Sequence, residues 1–212
     1  MGEKIQQPEK FVQKVKAPNP RELLSLDAPV ILRNQFGVEH LANVYRSGWL
    51  LPGRDIAPDK CESVAEHKHG MLQLAKSVKQ LYGEYFSSID WLKVYEIILD
   101  HDKPEEISGD IPPGVNVPKE ERKELERNAM MKISDGNSLL QDDIEHWDEF
   151  EGNTTEEAKF VHDLDYFQRA MKAYIYGKQN NKDLSAFWSD FETKLRSPIF
   201  VTLAKYLFEV GK

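Results

Sequence analysis

Cysteine is almost missing from this 212-residue chain: Cys61 stands alone, so no intrachain disulfide can form. With the rest of the composition this leans towards a reducing compartment and a cytoplasmic protein. Long apolar runs are missing too. No stretch approaches the roughly 20 residues of a membrane span. The opening "MGEKIQQPEKFVQKVKAPNP" has no apolar h-region and does not read as a signal peptide. Positive charge is in short supply, with 28 Lys and Arg against 36 Asp and Glu and a net charge of −8. That argues against a general nucleic-acid or anionic-membrane surface. It also sets a condition on any anionic substrate, which needs a local positive charge such as a metal ion. Internal repeats, low-complexity blocks and the alternating runs that mark strands are absent as well.

What is present is helical. Hydrophobic residues make up 40% and charged residues 30%, which suits a globular protein, and the length allows one domain with a sizeable core or at most two small ones. Val64, His67, Met71, Leu74, Val78, Leu81 and Tyr85 recur at alternating spacings of three and four, one face of a helix. Ser63 and Glu66 are placed as its capping box. The next helix, about 89 to 101, is apolar nearly all round and is expected to be buried. "VPKEERKELERNAMMKI" begins with a proline suited to a first helical turn. "TTEEAKFVHDLDYFQRAMKAYIYG" takes Thr154 or Thr155 as its cap, lays Phe160, Leu164, Phe167, Met171 and Tyr174 on one stripe, and is expected to stop at Gly177. "DLSAFWSDFETKL" and "PIFVTLAKYLFEV" read as two further helices, and the prolines and glycines from 103 to 118 mark a loop. The expectation is all-α: a loosely ordered extension over 1–20, then a single helical domain over 21–212.

Ligand-type side chains fall on these helices. His67 sits on the apolar stripe, His101–Asp102 closes the buried helix, and Asp165 lies beside Leu164 on the inward side of a third. Imidazole and carboxylate together suit borderline divalent metals, and a buried carboxylate is costly without a cation. Each residue taken singly has an ordinary explanation. His67 fits a satisfied core histidine, Asp102 the start of a turn, Asp165 a lysine partner, and Glu105 and Glu106 a solvated loop. Together, H, then HD, then D on inward faces is the stronger signal.

That pattern on an all-α chain resembles the HD-domain metal-dependent phosphohydrolases. "ESVAEH" (62–67), "HDKPEEISGDIPP" (101–113) and "EEAKFVHDLD" (156–165) resemble the branch that holds the bacterial 5′-deoxynucleotidases and their eukaryotic HD-domain relatives. The likeness runs from about residue 40 to the C-terminus and includes a tryptophan turn, here "YRSGWLLPG" (45–53). It implies one domain of HD type and one divalent ion (Mn, Co, Mg, Fe or Zn) held by His67, His101, Asp102 and Asp165. Glu105 falls at the catalytic carboxylate, and Asp110 at a second acidic position near the sugar and the attacking water. Trp49 matches the tryptophan that shapes the nucleotide pocket, Arg46 the phosphate-binding arginine, and Arg54 adds a phosphate contact. The second metal of binuclear relatives needs further histidines. After Asp102 only His146 and His162 remain, and His162 shares a helix side with Asp165. The implied activity is removal of the 5′-phosphate from (deoxy)nucleoside monophosphates. The alternatives are another small phosphate ester, a nucleoside triphosphate or cyclic dinucleotide, a non-catalytic nucleotide sensor, and a purely structural metal site. Relatives imply a homodimer, for which "PIFVTLAKYLFEV" offers an apolar face; packing of that helix on its own core is the equal alternative.

The chain departs from the pattern in three places. Gly48 precedes Trp49 where the bacterial enzymes carry their arginine. Lys103–Pro104 follows the HD pair where small or apolar residues are usual, and Pro104 biases Lys103 away from helix. "LLPGRDIAPDK" lengthens the stretch between Trp49 and "CESVAEH".

Overall fold

The computed structural model describes residues 16–113, 115, 117–134, 140–187 and 189–211. Among them no strand forms beyond one isolated antiparallel bridge between Tyr45 and Ser63, so the all-α expectation holds. Of the expected extension 1–20, residues 1–15 lie outside the described residues. The chain gathers into two compact units, Met1–Ala65 with Lys103–Ser138 and Glu66–Asp102 with Leu139–Lys212.

In the first unit a 3₁₀ turn, Pro20–Leu23, is capped by Asn19, whose side chain accepts from the Arg21 amide. Helix α1 follows (Val30–His40), then a second 3₁₀ turn, Ser47–Leu50, that carries Trp49. Leu41, Val44 and Val64 are buried together. The first amides of α2 (Val64–Tyr82) are satisfied by the chain ahead of them: Val64 N donates to the Val44 carbonyl and Ala65 N to that of Leu41. The segment expected as loop, 103–118, contains a one-turn helix α4 (Glu105–Ser108) that packs on α1 and on α5 (Lys119–Ser134). Pro104 enters it at φ −59°, ψ −21°, already helical, because proline's fixed φ suits a first helical turn. Glu106, expected on a solvated face, is 2% exposed. Its burial has a cause the local sequence does not show, the Arg21 guanidinium 2.6 Å away.

The second unit is built on α2, α3 (Trp91–Asp100), α6 (Gln141–Gly152) and α7 (Glu156–Asn180), closed by α8 (Phe191–Lys194) and α9 (Pro198–Gly211). Helix α3 packs on α6 and α7, and α7 on α9. Met71, Val94, Ile97, Ile98, Trp147, Leu164 and Phe200 are fully buried. Phe86, Trp91, Phe160 and Phe200 meet edge to face or tilted, at 4.9–5.8 Å between successive centroids through Phe160. Such pairs add about 0.5–1.5 kcal/mol each beyond area burial.

Several boundaries differ from expectation for local reasons. The α2 stripe holds through Val78, but α2 ends at Tyr82, leaving Leu81 and Tyr85 exposed while Phe86 turns inward. Helix α3 starts only after Asp90, whose carboxylate caps the Leu92 and Lys93 amides. Leu92 and Leu99 are exposed, so α3 has one buried face rather than burial all round. Helix α7 takes Thr155 as its cap and runs past Gly177 to Asn180, with Asn181 in the left-handed region. Gly177 serves a close approach instead: Lys182 N donates to its carbonyl, and a Cβ there would lie 2.9 Å from the Lys182 oxygen. "DLSAFWSDFETKL" is two short pieces, a 3₁₀ turn Ser185–Phe187 and α8, not one helix. Helices α1 and α6 have no counterpart in the sequence reading.

Candidate metal centre and active-site residues

Three helices of the second unit carry the four expected ligands: His67, His101 and Asp102 gather in one group, and Asp165 lies beside His67. His67 projects from α2, His101 caps the C-terminal end of α3, Asp102 follows it, and Asp165 comes from α7. One Asp102 oxygen lies 3.2 Å from His101 Nε2 and 3.7 Å from His67 Nε2. Asp165 Oδ1 lies 3.3 Å from His67 Nε2. The ligand atoms of His67, His101 and Asp102 all lie within 4.8 Å of one another.

The other nitrogen of each ring decides the chemistry. His67 Nδ1 is 2.8 Å from the amide oxygen of Gln168, and His101 Nδ1 is 2.9 Å from the Ile98 carbonyl. Both partners are acceptors, so in the neutral imidazole each Nδ1 carries the ring proton and each Nε2 presents a lone pair. Both Nε2 atoms are buried and have no hydrogen-bond partner. Lone pairs and carboxylate oxygens therefore face one another at 3.2–3.7 Å. Opposed acceptors at this range repel unless a cation sits among them. Two nitrogens and two carboxylates are the donor set of a borderline divalent ion, and the residues present fit one.

Gln168 was not among the sequence candidates. It lies three residues after Asp165, and that spacing on one helix face was the available signal. Gly70 gives it room, since a Cβ there would come within 3.2 Å of the Gln168 amide nitrogen. Orienting partners of this kind typically contribute 10–100-fold in metal affinity. Gln168→Leu is expected to weaken metal binding by about that factor while the helical circular dichroism stays unchanged; a metal titration by calorimetry checks it.

Two further histidines of this unit, His162 and His146, are engaged elsewhere, and His69 is exposed on α2. His162 Nε2 is 2.9 Å from the Phe150 carbonyl, and its ring stacks on Phe150 at 4.0 Å. Burial holds its pKa below the usual histidine value. Phe150 in turn backs the His101 ring at 4.9 Å. His146 Nδ1 meets Asp100 at 3.0 Å. Asp163, two residues before Asp165, accepts from the Arg196 and Ser197 amides instead and so fixes the chain leading into α9.

The other expected site residues belong to the first unit. Glu105 is the first residue of α4 and is 7% exposed. Asp110 follows Gly109, which stops α4 at φ +69°, ψ 167°. Only glycine adopts that conformation readily, which is a reason for the Gly-Asp pair in the motif. Gly109→Ala is expected to cost about 1–3 kcal/mol, read as a lowered midpoint in denaturant. Trp49 is buried, and its indole nitrogen donates to Glu62 at 2.9 Å. Glu62, the first residue of "ESVAEH", is thus a support for Trp49 that the sequence reading passed over. Arg46 is half-buried, with its amide donating to the Glu62 carbonyl. Arg54 Nη1 donates to the Gly48 carbonyl at 2.7 Å, laying a guanidinium from the lengthened segment over the residue before Trp49. Cys61 is buried, and its thiol is pushed up to about 12, first by burial and then by Glu62 and Asp110. A cysteine buried in this way is ordinarily inert.

Residues 38–204 match the family model described as HD domain. The 5′-deoxynucleotidase HDDC2 of Dictyostelium discoideum is 32% identical over 176 residues, covering 79% of this chain and 90% of that protein. The human 5′-deoxynucleotidase HDDC2 is 32% identical over 177 residues, covering 80% of each chain. The 5′-deoxynucleotidase hdd1 of Schizosaccharomyces pombe is 35% identical over 158 residues, covering 71% of this chain and 75% of that one. Among solved structures, a Pyrococcus horikoshii OT3 protein superposes with a TM-score of 0.68 at 25% identity, covering 85% of this chain and 98% of that one.

Proposed function

Since the chain belongs to the HD-domain family, we propose that it is a metal-dependent phosphohydrolase that removes the 5′-phosphate from deoxynucleoside monophosphates. The observation that carries this reading is the pair of buried Nε2 lone pairs, His67 and His101, set against the Asp102 and Asp165 carboxylates. These four residues would hold one divalent ion, of the Mn, Co, Mg, Fe or Zn group, within an HD domain spanning 21–212. Such an ion, when bound, supplies Lewis acidity toward water and phosphate oxygens. It also supplies the positive charge that a chain of net charge −8 otherwise lacks for an anionic substrate.

The remaining roles fall to the chain's own side chains. Glu105 takes the proton from the attacking water, a task worth about 10²–10⁴-fold when the base is well placed. Asp110 grips a sugar hydroxyl and assists the same water. Arg46 and Arg54 hold phosphate oxygens, for which a planar guanidinium is suited. Trp49, its ring fixed by Glu62, forms the wall of the nucleoside pocket. A homodimer is part of the proposal. Helix α9 turns Phe200 and Ala204 inward and leaves Tyr206 exposed for such a contact; light scattering of the purified protein tests it.

The activity test is phosphate release from a panel of deoxynucleoside and ribonucleoside monophosphates, deoxynucleoside triphosphates and cyclic dinucleotides, each with Mn²⁺, Co²⁺ and Mg²⁺. Turnover highest on a deoxynucleoside monophosphate supports the reading. Tight nucleotide binding without release from any member replaces it with a sensor, and release only from triphosphates or cyclic dinucleotides moves the substrate class.

A further inference from the structure

The resemblance carried by "HDKPEEISGDIPP" gives Glu106 no role, yet it is among the most completely buried carboxylates in the described chain, with a side-chain exposure of 0%. One partner comes from far away in sequence: Arg21 Nη2 lies 2.6 Å from its carboxylate. The pair fills a notch over Gly37 of α1, where an added Cβ would run into the Glu106 carboxylate and the Arg21 guanidinium. Asn19 closes the arrangement twice. Its amide nitrogen donates to the Glu106 carbonyl at 2.8 Å, and its oxygen accepts from the Arg21 amide at 2.9 Å. The stretch around the first 3₁₀ turn is thereby tied to α4 through both side chain and main chain.

The energetics make simple stabilisation a poor explanation. A buried ion pair gains little over apolar side chains of similar volume, because desolvation offsets most of the attraction. What such a pair does supply is direction. A four-residue helix cannot hold its own orientation in isolation, and α4 has no side-chain cap at its N-terminus. Successive side chains on a helix are about 100° apart. Seating Glu106 in the Gly37 notch therefore fixes where its neighbour Glu105 points.

We propose that Arg21, through Glu106, is a positioning residue that sets the direction of the Glu105 carboxylate. The inference rests on the reading of Glu105 as the group that accepts the proton from water. An error of about 1 Å in such a group can cost on the order of 10²-fold in rate, so loss of the latch is a catalytic defect before it is a folding one.

The test compares Arg21→Met, Arg21→Lys, Glu106→Gln, the apolar pair R21M/E106L and Glu105→Gln with the unaltered protein. The readouts are kcat, KM for a deoxynucleoside monophosphate, metal content and thermal midpoint. Arg21→Met is expected to lower kcat by about 10-fold or more, with KM within about threefold and metal content unchanged. Arg21→Lys is expected to recover most of that loss. The apolar pair is expected to stay as slow as Arg21→Met even where its thermal midpoint equals that of the parent, an outcome a stabilising role cannot give. Glu106→Gln keeps the shape and weakens the pair; it carries the test if Arg21→Met does not fold, with a fall in kcat expected. Full kcat in folded Arg21→Met, or in Glu106→Gln, overturns the latch while a slow Glu105→Gln leaves the Glu105 reading standing. An active Glu105→Gln removes that reading and the latch with it.

Discussion

Asp102→Asn is expected to strip the protein of its divalent ion and to cut phosphate release from a deoxynucleoside monophosphate by about 10³-fold or more. One Asp102 oxygen stands 3.2 Å from His101 Nε2 and 3.7 Å from His67 Nε2. Asparagine keeps the shape, removes one negative charge and can turn an N–H toward those lone pairs. The site then satisfies itself from within and has no further need of a cation. A metal ion contributes several kcal/mol to stabilising transition-state charge, and about 4 kcal/mol corresponds to that 10³-fold loss. Metal content after purification and kcat/KM are the measurements. A second result separates this from general damage: in the presence of a chelator the variant should melt no lower than the parent, since an opposition between acceptors has been removed. His162→Gln is the control, expected to keep its metal because that ring is occupied with the Phe150 carbonyl. An Asp102→Asn protein with one ion per chain and parental turnover would refute the ligand assignment.

Glu105→Gln should leave the metal in place and still lower kcat by about 10²-fold or more, the lower end of what a general base contributes. The substitution preserves the length of the side chain and its place as the first residue of α4, so packing around this nearly buried position changes little. It removes only the ability to take a proton. Metal content separates the two variants: Asp102→Asn loses ion and rate together, Glu105→Gln loses rate alone. Parental kcat in a metal-loaded Glu105→Gln enzyme would end its assignment as the base.

These two residues also show how unevenly the molecule can be read from its sequence. His67, His101, Asp102 and Asp165 stood out in the sequence as ligand-type side chains on inward positions, and the resemblance to the HD-domain phosphohydrolases implied that they form one ligand set. Gln168 was not legible as a partner, since glutamine on a helix is ordinary until the imidazole it serves is seen at 2.8 Å. Glu106 was expected in solvent because two adjacent glutamates after a proline look like a surface turn. Its burial depends on Arg21 and Gly37, and no local rule connects them. Helix α6 was missed for a related cause. "QDDIEHWDEFEG" is strongly acidic, and only Ile144, Trp147 and Phe150 mark its inner side. The long "DLSAFWSDFETKL" helix was over-read, its apolar residues serving two short turns instead of one stripe.

The acceptor chosen for His67 has a consequence for charge. Many metal-bound histidines lean on a carboxylate, which raises the basicity of the ring and adds a negative charge behind it. Here the acceptor is the neutral amide of Gln168. Two neutral imidazoles and two carboxylates sum to −2, and a divalent ion brings that ligand set and its orienting amide to zero. With such an ion held there, an approaching phosphate dianion would meet no net negative charge from the ligand set. A carboxylate at 168 would instead set one more like charge against every substrate that arrives. In a protein that carries eight more negative charges than positive ones, a neutral amide at 168 would spare an anionic substrate one further like charge.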